Sequence, residues 1–201
     1  MSEGAAHPRR RPYAGSCHCG AVKYVVYLTM PHVPPNPPNA RNPDGSRPQR
    51  IYRCNCTTCQ KAGLMHVRPA SPPDDFLVLS PLDPLRELGD YLCFDRGLHF
   101  LFCKGCGVRC FTFAGEGELL EQEGAISTPG EKRVAWCPKR GQVEDVDSYL
   151  SVNGYTIDAG QEGLDLREWT EKKWVLYLDC LTDLPDGPEP TYERPFPGGA
   201  Y

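Results

Sequence analysis

The sequence predicts an all-β protein of small antiparallel sheets, stapled by zinc and carrying few short helices. Three observations predict it. Short apolar runs rich in β-branched and aromatic residues recur between turn signals. Proline (21) and glycine (20) punctuate the 201 residues so often that long helices have no room. Cysteine is abundant, at 11 residues, and most of it is clustered. The length suits one domain with a substantial core. A net charge of −4 speaks against broad binding to nucleic acid or anionic membranes. No apolar run is long enough to span a bilayer.

Residues 1–12 are polar and basic and read as a flexible arm. They lack the apolar core of a secretory signal, so a reducing, cytoplasmic setting is expected. A single zinc-binding domain follows over 13–182. Residues 14–30 hold the first cysteine pair and then a β-rich run. The prolines of 31–50 remove backbone donors and fix φ, so this segment reads as a long inserted loop that can border a pocket. Ile51-Tyr52-Arg53 leads into a second cysteine group. Thr57–Gly63 reads as a short helical turn ended by Gly63, and Leu64–Val67 enters a strand. A Pro/Asp turn over 69–75 precedes a strand at Phe76–Ser80, and a further strand lies within 85–94. Leu98–Cys103 and Arg109–Phe113 form a hairpin around a third cysteine group. Val134–Trp136, Tyr149–Asn153 and Trp174–Leu178 read as later strands, with a short helix at Leu164–Glu171. Residues 183–201 read as an extended Pro/Gly-rich tail.

In a reducing setting, clustered cysteines are metal ligands before they are disulfides. All-sulfur donor sets favour zinc or an iron–sulfur cluster, and the long gaps between these groups do not match common ferredoxin runs. Cys17 and Cys19, if extended, share one face. Cys103-Lys-Gly-Cys106-Gly107 reads as a metal knuckle. Together the four close a tetrahedral structural site. Cys54, Cys56 and Cys59 remain as a set of three, which leaves one position open, the catalytic pattern. The rival partition, Cys56/Cys59 with Cys103/Cys106, strands three cysteines. Cys93, Cys137 and Cys180 read as small buried apolar residues, and Cys110 as facing the core or a metal.

The joined pattern Gly15-Ser-Cys-His-Cys-Gly20, Cys54-Asn-Cys-Thr-Thr-Cys-Gln-Lys-Ala-Gly63 and Phe102-Cys-Lys-Gly-Cys-Gly107 resembles the glutathione-dependent formaldehyde-activating enzyme family, which includes centromere protein V-like proteins. The match covers roughly residues 13–115. The resemblance implies a β-tent fold, a structural zinc on Cys17, Cys19, Cys103 and Cys106, and a catalytic zinc on Cys54, Cys56 and Cys59. The Pro-rich 31–50 insertion and the extended C-terminal half depart from short members.

The functional expectation is therefore a zinc-dependent carbon–sulfur lyase with two zinc ions per chain. Its partners would be glutathione as cosubstrate and a small-molecule thiol conjugate or aldehyde. A thiolate at the open position adds to a carbonyl, and the reverse step cleaves a carbon–sulfur bond. His66 is the candidate catalytic acid–base group. Arg53 and Lys61 are the candidate glutathione-binding cations. Two rivals stand beside this reading: a non-catalytic protein in which both metals staple the fold, and a zinc hydrolase or dehydratase.

Overall fold

The structure, a computed structural model, describes residues 7–93, 96–123, 132–141, 148–182 and 187–201. In chain order its elements are strands β1 (Arg9–Ser16), β2 (Lys23–Met30) and β3 (Arg50–Cys54), helix α1 (Thr57–Ala62), β4 (His66–Arg68), α2 (Pro72–Asp75), β5 (Phe76–Ser80) and α3 (Pro84–Glu87). Then come β6 (Gly89–Cys93), β7 (Leu98–Phe102), β8 (Arg109–Ala114), β9 (Gly117–Glu123), β10 (Lys132–Pro138), β11 (Tyr149–Asn153), α4 (Leu166–Glu171) and β12 (Val175–Leu178). The protein is all-β as expected, with four short helices among the described residues. One sheet has the order β1-β2-β5-β10-β9, the other β12-β3-β4-β11-β8-β7-β6. Among the described residues every strand pairing is antiparallel except β12 on β3.

The core gathers large side chains of both sheets, with Tyr13, Tyr24 and Phe76 from the first and Phe111, Phe113 and Leu150 from the second. Trp169 of α4 is fully buried among them. Gly15 makes room for this packing. A Cβ there would stand 2.1 Å from Cζ of Tyr24, whose hydroxyl is bonded to Thr156 Oγ1 at 2.8 Å. Gly15→Ala is therefore expected to lower stability by about 1–3 kcal/mol, read as a lower midpoint in a thermal or urea melt.

Three expectations need correction. Arg9–Pro12, expected in a flexible arm, pair with Tyr27–Met30 along β1. The Arg10 guanidinium lies 3.9 Å from the Tyr27 ring centre and bonds Asp75 Oδ1 at 2.8 Å. Residues 1–6 lie outside the described residues. The tail does not extend away from the domain. Thr191 bridges to Tyr177, Tyr192 donates to Pro35 O at 3.1 Å, and Tyr201 packs edge-on against Tyr177. Residues 183–186 lie outside the described residues. The turn at 69–75 contains the one-turn helix α2. Between Pro31 and Gln49 the inserted loop has no regular structure, as expected. Gln49 pins it by accepting from Thr29 N (2.8 Å) and donating to Thr29 O (3.1 Å).

Candidate metal centres

The first thiol group joins the two sheets. The turn after β1 supplies Cys17 and Cys19, and the turn after β7 supplies Cys103 and Cys106; their sulfurs all lie within 4.8 Å of one another. Cys17 and Cys19 sit in a turn, not the extended strand the spacing suggested, and in each turn a glycine amide closes onto a cysteine carbonyl. Gly20 N donates to Cys17 O at 3.0 Å and Gly107 N to Cys103 O at 2.8 Å. Gly20 and Gly107 both have φ of 75°, which a side chain would strain. Val22 N also donates to Cys17 Sγ at 3.2 Å. Cys19 Sγ lies 3.6 Å from the sulfurs of Cys17 and Cys103. Tetrahedral zinc with bonds of about 2.3 Å would place sulfurs about 3.8 Å apart, so the donor set fits that ion. Amide donation from Val108, then from Cys19, pushes the Cys106 thiol down to about 6, so this sulfur is a thiolate at neutral pH.

Cys54, Cys56 and Cys59 form the second group, again within 4.8 Å. The end of β3 supplies Cys54, and Cys56 caps α1, its sulfur accepting from Cys59 N at 3.5 Å. Cys54 Sγ accepts from Cys56 N at 3.3 Å. Gly63 ends the helix at φ 62° and returns the chain to β4, as the sequence predicted. The four-plus-three partition is thus what the structure brings together, and both groups can hold a metal ion. Cys110 is fully buried in the core and stands outside both sets.

His66 meets the second group through Cys59. Its Nε2 lies 3.2 Å from Cys59 Sγ and its Nδ1 2.6 Å from Ser151 Oγ, which is 3.1 Å from Thr112 Oγ1. As a metal ligand Cys59 would be a thiolate, which can only accept; Nε2 would then carry the hydrogen and Nδ1 would accept from Ser151. The ring stacks on its cross-strand neighbour Tyr52 with centres 4.7 Å apart, and the Tyr52 hydroxyl is bonded to that of Tyr149. Burial pushes the imidazole down to about 4, so it is neutral at physiological pH. At 4% exposure, His66 is sealed beside a sulfur rather than open to substrate. Its geometry is that of a partner that orients a ligand. His66→Phe keeps the stack but loses the donor. It is expected to weaken ion binding at the second group roughly 10–100-fold, measured by chelator competition.

A cleft of about 990 Å³ runs between α1 and the Cys106 turn, with Thr57, Lys61, Tyr91, Gly107, Arg109 and Tyr155 among its lining. Lys61, one of the two candidate cations, is among the residues that line this cleft. Arg53 does not line this cleft. Its guanidinium lies 5.4 Å from the Tyr155 ring centre and reaches Ala200 O at 3.5 Å. Arg109, which sequence reasoning missed, stands over Tyr91 at 5.4 Å, and its Nη1 is buried with no hydrogen-bond partner. No residue of 31–50 lines the cleft. On the Cys54 side the tail closes down to a hollow of about 10 Å³ between Cys54, Asn55, Phe196 and Gly199. Cys180 also departs from expectation: its side chain is exposed, not buried.

No family model and no curated protein matches the chain. Among solved structures, a crystal structure of a Rhodobacter sphaeroides protein aligns with a TM-score of 0.40 at 21% identity, over 77% of this chain and 93% of that one. So slight a likeness leaves the site to be read from its own chemistry. No described helix is long and apolar enough to cross a membrane.

Proposed function

We propose that the protein is a zinc-dependent carbon–sulfur lyase acting on adducts of glutathione or a similar anionic thiol, with a structural ion in the first cysteine group and a reactive one in the second. One observation carries this reading: α1, which holds Cys59 of the three-thiol set, also lines the cleft with Lys61, and Arg109 stands in the same lining. Three protein ligands are the number that catalytic zinc sites use, and four the number that structural ones use. An ion there supplies a thiolate at neutral pH and polarises a carbonyl oxygen.

The chain's own residues do the rest. Lys61 and Arg109 hold the carboxylates of the thiol substrate, and Arg109 has an unused donor for that purpose. Tyr91 and Tyr155 give the cleft walls for a larger conjugate. His66, itself held by Ser151, fixes the orientation and basicity of the Cys59 sulfur.

The test is turnover by the metal-loaded protein against glutathione with a panel of aldehydes, and against preformed glutathione conjugates. Turnover of at least one pair is expected. Arg109→Ala and Lys61→Ala are each expected to raise KM roughly 10- to 100-fold with kcat little changed, the worth of one charged hydrogen bond. Silence across the whole panel from protein carrying two ions would overturn the reading.

A further inference from the structure

The start of β3 and the end of β4 set two arginines against each other. Arg50 and Arg68 are directly opposite in the antiparallel register, which places their Cβ atoms about 5 Å apart on one face of the sheet. The next pair along, Ile51 and Val67, is buried in the main core, so strand alternation turns both arginines to the other face. Like charges directly opposite repel and destabilise a strand pair. No acid relieves them: among the described residues neither side chain has an ion pair with a carboxylate. Arg50 Nη2 donates to Ala40 O of the inserted loop at 3.3 Å, but its Nε is shut off from water with no partner among the described residues. The Arg68 guanidinium stands over the Tyr149 ring at 5.0 Å, a contact with a π face and not with an acceptor. Both arginines are half-buried. Burial is the main cause that pushes each guanidinium down from its ordinary value, and the exposed Arg47 adds a further like charge to both.

Two half-buried cations held opposite each other, one with a sealed and unused donor, make a place for negative charge. We infer that Arg50 and Arg68 form an oxyanion site that takes a phosphate group, free or carried by a small molecule. The donors point to that class of ligand. Arginine presents a planar fork that matches an anion with several acceptor oxygens, which a lysine ammonium does not. A phosphate group carries a charge of about −1.5 to −2 at neutral pH and so answers both guanidinia, whereas one carboxylate leaves a positive charge over. A bound oxygen gives Arg50 Nε the acceptor it lacks. It also turns the repulsion across β3 and β4 into a shared attraction. Arg47, on the loop at the mouth of β3, adds to the field that draws an anion in. The site does not depend on the lyase reading. Neither arginine lines the cleft, and neither belongs to a thiol group.

The experiment titrates the full chain with inorganic phosphate by calorimetry and follows its melting midpoint, with chloride holding the ionic strength constant. Saturable binding and a rising midpoint are expected with phosphate and not with chloride. Arg50→Gln and Arg68→Gln should each weaken phosphate binding roughly 10- to 100-fold, the worth of one charged hydrogen bond. The same variants separate a binding role from a structural one. In phosphate-free buffer of low ionic strength, Arg68→Gln should melt at or above the wild-type midpoint, because the repulsion is gone; a residue needed only for the fold would melt lower. Arg109→Ala, which removes a cation of the cleft, should leave phosphate affinity unchanged. A second titration with glycerol phosphate identifies the source. Tighter binding of the ester marks a phosphorylated small molecule as the occupant, and equal or weaker binding marks free phosphate; both support the site. An equal response to phosphate and chloride, undiminished affinity in both glutamine variants, or loss of affinity in Arg109→Ala instead would each overturn it. The two proposals fail separately. Phosphate binding lost in Arg68→Gln without turnover of any conjugate refutes the lyase reading alone. Turnover without phosphate binding refutes the oxyanion site alone.

Discussion

Cys103→Ser is expected to leave the chain unfolded or with a greatly lowered melting point and without its first ion. The reason lies in what the group ties together. Cys17 and Cys19 follow β1 of the first sheet, while Cys103 and Cys106 close the hairpin between β7 and β8 of the second. Cys17 and Cys103 are both buried and belong to the main core. A structural zinc contributes roughly 10–16 kcal/mol to folding, against a total stability of about 5–15 kcal/mol for a typical domain. Losing even part of that term consumes the margin. Circular dichroism and metal analysis would read the result. A cooperative melt within a few degrees of the wild type would show that the first group does not hold the sheets together.

The parts of this architecture visible in the sequence are those set by local spacing. Cys103-Lys-Gly-Cys106-Gly107 and Cys54-Asn-Cys56-Thr-Thr-Cys59 place donors within a turn of one another, so the thiol partition follows from counting. Gly63 marks the end of α1 because only its left-handed backbone closes that cap without strain. What stayed hidden depends on distant segments. Arg9–Pro12 look like a solvated arm because their side chains face outward, whereas the strand is made by backbone pairing to Tyr27–Met30. Arg109 enters the cleft only because β8 packs beside β7 and carries it toward α1. Cys180 is exposed, and nothing local distinguishes it from a buried cysteine.

Cys56→Ser should do the opposite of Cys103→Ser, with turnover falling to background while the fold survives. The second group lies in a small apolar cluster with Leu64 and Phe100, apart from the main core. Serine is a favoured helix cap, so its hydroxyl can replace the Cys56 sulfur as acceptor for Cys59 N and keep α1 in place. The backbone bonds that carry β3 into β4 do not pass through the Cys56 side chain. The expected melting shift is therefore only a few degrees, the usual size for about 1 kcal/mol in a chain of this length. The chemistry has no such reserve. Two remaining cysteines cannot fix a soft ion against competing thiols, so the second ion should be lost on dialysis against glutathione while the first stays. Metal analysis before and after dialysis, beside the activity panel, separates the outcomes. A folded Cys56→Ser protein with both ions and undiminished turnover would place the chemistry elsewhere in the molecule.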